Sequence, residues 1–152
     1  PGQSTTVEIE NNGSRATVGG VPVFAAQPGV FQDAAGFAAA VHADNRLVTA
    51  ESPARNGEVI ALFATGAGRI TPAVPTGTLG PSSQLSYVDL PVVIGVDDKG
   101  AEVLFKGYAP GFLGLYQFNF VVPADARCGQ RALSLKVGDR YSPNVTIPIL
   151  CQ

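Results

Sequence analysis

Short alternating apolar runs, each closed off by glycine, proline or asparagine within about ten residues, restrict this chain to a β fold. Thr6-Val7-Glu8-Ile9-Glu10 alternates, Asn11-Asn12-Gly13-Ser14 turns, and Ala16–Ala25 runs extended with Pro22 inside it. A proline there marks an edge strand or a bulge. Further strands are expected at Phe37–Ala43, Glu58–Ala64, Val88–Val96, Ala101–Lys106, Leu115–Val122, Ala132–Val137 and Val145–Leu150. Asp97-Asp98-Lys99-Gly100 reads as a hairpin turn. Only Asp33–His42 offers a helical alternative, weakened by Gly36 and its alanines. Strands at this spacing, with no helices between them, predict an all-β, immunoglobulin-like antiparallel sandwich.

The 152 residues suffice for a core without metal, since a chain of this size buries about 70% of its unfolded surface. Apolar residues make up 45% and charged residues 14%, the reverse of a disordered composition. Ten scattered cations and a net charge of −2 provide no basic stripe for nucleic acid. No apolar run is long enough to span a membrane as a helix. Methionine is absent even at position 1, so the chain is expected to begin at a cleavage site or at a cut within something longer.

Two cysteines bracket the last two expected strands. Folding residues 131–137 and 143–150 about the turn Gly138-Asp139-Arg140-Tyr141-Ser142 pairs residues whose numbers add to about 280. Cys128 and Cys151 add to 279, so a disulfide is geometrically feasible, with two buried free thiols as the alternative. A disulfide points to an oxidising compartment, hence a secreted or cell-surface protein.

Thr65–Leu90 is rich in glycine and proline and carries only Arg69 and Asp89 as charges. It reads either as a functional loop or as a crossover between sheets. The opening segment also echoes later ones. Thr17-Val18-Gly19-Gly20-Val21-Pro22-Val23 is similar to Asn144-Val145-Thr146-Ile147-Pro148-Ile149, the closing strand. Residues 1–27 therefore read as the last hairpin of another immunoglobulin-like unit, or one donated to it, and residues 28–152 as the sandwich itself.

Several blocks carry a family resemblance. They are Pro28-Gly29-Val30-Phe31, Leu62-Phe63-Ala64-Thr65-Gly66-Ala67-Gly68, and Val103-Leu104-Phe105-Lys106-Gly107-Tyr108-Ala109-Pro110-Gly111-Phe112-Leu113-Gly114-Leu115-Tyr116-Gln117, followed by Ser142-Pro143-Asn144-Val145. Together they resemble the uncharacterised C-terminal domain of secreted proteins from Solibacter and other Acidobacteria. The resemblance implies a surface or secreted module and brings no catalytic residues with it. Lys106 and the two cysteines depart from the family pattern.

No cofactor or metal is expected: His42 is the one histidine, and Asp97-Asp98 has no acidic neighbours to complete a calcium site. A nucleophile would need a base beside it, and with no Gly-x-Ser-x-Gly elbow the chain is expected not to be an enzyme. Lys106 with Asn119 or Asn144 suggests an isopeptide bond, but a lysine snorkelling from an edge strand accounts for it better. Tyr116, Phe118 and Phe120 share one strand face, as a core or a sugar platform would. Asn12-Gly13-Ser14 and Asn144-Val145-Thr146 match the glycosylation pattern incidentally.

The reading that follows is a structural module forming homo-oligomers or filaments by strand and edge pairing, with Val7, Ile9, Val21 and Val23 on the assembly surface. The alternatives are a monomeric glycan- or peptide-binding module, using Tyr108 and Tyr116 or the 65–90 loop, and a passive spacer.

Overall fold

A computed structural model describes residues 3–151 and contains 13 strands. Among the described residues there is no helix, and all the pairings between strands are antiparallel. In chain order the strands are β1 (Gln3–Asn11), β2 (Ser14–Val23), β3 (Gly29–Val30), β4 (Ala40–Val41), β5 (Val59–Thr65), β6 (Ile70–Thr71) and β7 (Tyr87–Val88). They continue with β8 (Val92–Val96), β9 (Lys99–Tyr108), β10 (Tyr116–Val121), β11 (Gly129–Val137), β12 (Arg140–Tyr141) and β13 (Val145–Ile149). β1 and β2 form a two-stranded sheet of their own. The others form one curled sheet in the order β12-β11-β8-β9-β10-β5-β3, with β13 beside β11, β4 beside β5, and β6 joined through β7 to β9.

Strand β9 makes the curl. Its first residues pair with β8, Val96 opposite Lys99, and its remainder pairs with β10, Tyr108 opposite Tyr116. A bulge at Leu104, between Asn119 and Phe120 of the partner, bends it from one arm into the other. One hydrophobic cluster fills the curl. Alternation sends Ile60 and Leu62 of β5 inward beside Phe120 and Phe118 of β10, and all four are fully buried. Ile94, Leu133, Leu135 and Ile147 join the same cluster from the other arm.

The boundaries depart from expectation where backbone chemistry intervenes. The strand expected over Val88–Val96 is two, β7 and β8, because Pro91 has no N–H to extend a ladder and the chain changes arm there. The strand expected over Phe37–Ala43 shrinks to Ala40–Val41, flanked by isolated bridges at Phe37, Ala38 and Leu47. Asp97 and Asp98 both take left-handed φ values, 53° and 63°, as a two-residue hairpin turn demands. Gly129 of β11 lies opposite Ile149 of β13, which brings Cys128 and Cys151 to a Cα separation of 4.7 Å, and a disulfide joins them.

Candidate functional site

The amino-terminal hairpin is exposed along nearly its whole length. Its register explains why its faces differ. Val7 lies opposite Val18 and Ile9 opposite Ala16, on one face, while Glu8 lies opposite Thr17 and Glu10 opposite Arg15 on the other. Val18 and Val21 are three positions apart and would fall on opposite faces of a regular strand. Between them, however, the register shifts at Gly19-Gly20, with Gly20 at φ 71°. That bulge returns Val21 and Val23, opposite Thr5 and Gln3, to the face of Val7 and Ile9. The apolar face is bare: Val7 is 41% exposed, Ile9 62% and Val18 59%. On the polar face Arg15 bridges Glu8 at 3.2 Å and Glu10 at 2.8 Å. The outer edge of β2 is guarded by Pro22, whereas β1 contains neither proline nor lysine.

The hairpin is nevertheless fixed at its base. Gln27 N donates to Gly66 O at 2.9 Å, and Gly66 and Gly68 adopt φ values of 69° and 82°. A side chain at Gly66 would collide with the Gln27 carbonyl, and one at Gly68 with the Ala25 carbonyl. Ala26 is buried, and Arg140 stacks on the Phe24 ring at 3.7 Å.

Beside that base lies a groove of about 700 Å³, between the 68–77 loop and Tyr108, Leu113, Gly114 and Tyr116. The 65–90 stretch and the two tyrosines, separate in sequence, thus line one site. The tyrosine rings meet edge to face at 5.7 Å. Tyr116 OH donates to Gly68 O at 2.7 Å, and Tyr108 OH accepts from Gly114 N. Burial, with Tyr108 adjacent, pushes the Tyr116 phenol up, so its hydroxyl remains a donor. Both phenols therefore hold loops, and the lining they leave is mostly apolar, with Arg69 as its one charge. Leu113, in its lining, is 59% exposed. The long loop is ordered: β6 and β7 close its base, while Gly80 N donates to Phe112 O and Gly111 N to Gly80 O, both at 2.8 Å. Ser86 Oγ, buried in the same loop, has no hydrogen-bond partner.

A second cluster escaped the sequence reading. His42 Nδ1 lies 2.6 Å from Glu58 Oε1, and Nε2 lies 3.2 Å from Ser52 Oγ. The order carboxylate, imidazole, hydroxyl resembles a hydrolase triad. Yet Nε2 also lies 3.0 Å from the carbonyl oxygen of Ser52 itself, and Ser52 N is occupied by Thr49. Nε2 thus faces two oxygens of the same residue, which holds the 49–52 turn against the ring. Glu58 Oε2 is anchored in turn by Arg55 N at 2.8 Å, so the cluster acts as a clamp on residues 42–58.

Lys106 Nζ donates to Leu90 O at 2.7 Å. Lys106 pairs with Phe118 while Asn119 pairs with Phe105, which sets Lys106 and Asn119 on opposite faces of the sheet. Asn144 is exposed in the connection before β13.

No protein-family model, curated protein sequence or solved structure matches the chain.

Proposed function

We propose that this chain is a non-enzymatic extracellular structural module, immunoglobulin-like in architecture, that assembles with copies of itself through its amino-terminal hairpin. The observation that carries the proposal is the hairpin's apolar face, on which Val7, Ile9, Val18 and Val23 are exposed while its base is pinned to the body. A lone two-stranded ribbon is marginally stable in water, and covering such a face with another chain is the ordinary remedy. The open β1 edge offers backbone groups for strand addition. The disulfide is in keeping with an extracellular setting. The resemblance to secreted Acidobacterial C-terminal domains points the same way, and the two facing arms of the curled sheet suit an immunoglobulin-like sandwich.

Light scattering and electron microscopy of the purified chain test the proposal. Oligomers or regular filaments are expected, and the double variant Val7→Glu, Ile9→Glu should be monomeric with an unchanged melting temperature, since both side chains are exposed in the monomer. A chain that stays monomeric at millimolar concentration overturns it.

The tyrosine groove favours a second reading, a monomeric module binding a glycan or peptide. That reading requires saturable ligand binding without assembly, lost on Tyr116→Ala.

A further inference from the structure

We infer that β1 of one copy pairs with β1 of a second copy, antiparallel and about a two-fold axis at Val7, so that two hairpins join into one four-stranded sheet. The inference rests on the self-assembly proposed above and names its strand, symmetry and register. Of the hairpin's two outer edges, that of β2 is interrupted by the Gly19-Gly20 bulge and by Pro22. The edge of β1 runs nine exposed residues without proline, lysine or an extra residue, and β2 is its one neighbour. The turn at Asn12 and Gly13, with φ values of 49° and 80°, closes on Asn11 opposite Ser14, whose backbone groups bond across the hairpin. Alternation then turns the backbone groups of Ile9 and Val7 toward β2 as well, and those of Ser4, Thr6, Glu8 and Glu10 outward.

The strand is complementary to itself in that register. With the axis at Val7, Val7 faces its own copy, Thr6 faces Glu8, Thr5 faces Ile9, Ser4 faces Glu10 and Gln3 faces Asn11. Every residue of β1 is then paired, and the outward groups of Thr6 meet those of Glu8. No acid faces an acid. An axis at Glu8 would set the two Glu8 carboxylates opposite one another, and an axis at Ile9 would set Glu8 against Glu10 twice. Arg15 does not relieve that repulsion, because it lies in β2, one strand away, and already serves both acids of its own hairpin. An axis at Thr6 would leave Glu10 and Asn11 outside the ladder. The Val7 pair is of the kind without hydrogen bonds, in which opposed side chains come closest. Val7, Ile9, Val18 and Val23 of both copies then line one continuous apolar face. The interface uses the same surface twice and closes at two copies, so longer assemblies are built of dimers.

Cross-linking between copies tests the register. Both native cysteines are in the disulfide, so a single engineered thiol is the free one. Thr6→Cys, Val7→Cys, Glu8→Cys and Ile9→Cys chains are each oxidised in air and run without reductant. A residue on the axis meets its own copy, so Val7→Cys should give the covalent dimer in several-fold higher yield than the other three. Thr5→Cys mixed with Ile9→Cys should give the mixed dimer. Glu8→Pro separates edge pairing from stacking of the apolar faces, since it removes an outward N–H that β2 does not use and leaves the apolar residues in place. That variant should be monomeric, with the circular dichroism of the parent chain. If the unmodified chain assembles but another position links best, or none does, or Glu8→Pro still dimerises, the β1 pairing is overturned while self-assembly stands. If the unmodified chain does not assemble at all, both fall.

Discussion

Gly66 and Gly68 do work that no other residue type can do at those positions. Both sit in the left-handed region, and both touch the carbonyl oxygens of the segment leaving the hairpin. Gly57 provides the comparison, with a φ of 78° and no atom within 4 Å of where a side chain would begin. Gly57→Ala should incur backbone strain alone, about 1 kcal/mol. Gly66→Ala adds a collision with Gln27 and should cost about 2 kcal/mol or more, lowering the melting temperature by roughly 4–8 °C. Calorimetry on the two variants separates strain from collision, and equal losses would show that the clamp contributes nothing.

Among the elements, the closing pair β11 and β13 is bound twice, by its ladder and by the disulfide. Reducing Cys128–Cys151 should cost about 3 kcal/mol by freeing the unfolded chain, measurable as a lower denaturant midpoint. Much at this scale was legible beforehand. The register of that hairpin followed from its turn, and the long strands β5, β10 and β11 from alternation of the kind seen in Ile60, Leu62 and Ala64. The split at Pro91 was also written in the chain, but the apolar run from Val92 to Val96 masked it. Val7, Ile9, Val21 and Val23 were grouped from the sequence, but the reason that they share a face, the extra residue at Gly19-Gly20, shows only in the register. The groove and the His42 cluster were not legible. Tyr116 meets Gly68 and His42 meets Glu58 only through tertiary packing, which spacing along one chain does not encode.

The whole molecule is polarised. The loop pole holds the groove and Arg69, while the opposite pole gathers ion pairs. Asp97, only 7% exposed, receives Arg127 through two hydrogen bonds of 2.8 and 2.6 Å, and Lys99 binds Asp125. The hydrogen bonds from Arg127 hold the Asp97 carboxyl down at about 2, and those from Lys99 lower Asp125. A carboxyl held low contributes stability that is complete above its ordinary value of 3.8 and disappears as pH falls through about 2. Asp97→Asn should therefore melt lower than the parent chain at pH 6, with the gap closing between pH 4 and pH 2. A constant gap across that range would mean that the charge is irrelevant.

Fixing the hairpin at its root also determines where a pull would travel. Tension applied through β1 and β2 enters the body at Gln27 and passes to β5 across the ladder of Gly29 with Thr65 and Val30 with Ala64. The disulfide, between Cys128 and Cys151, lies off that route. A string of such modules under load would yield first by peeling β3 from β5, lengthening at each joint while its folded bodies stay whole.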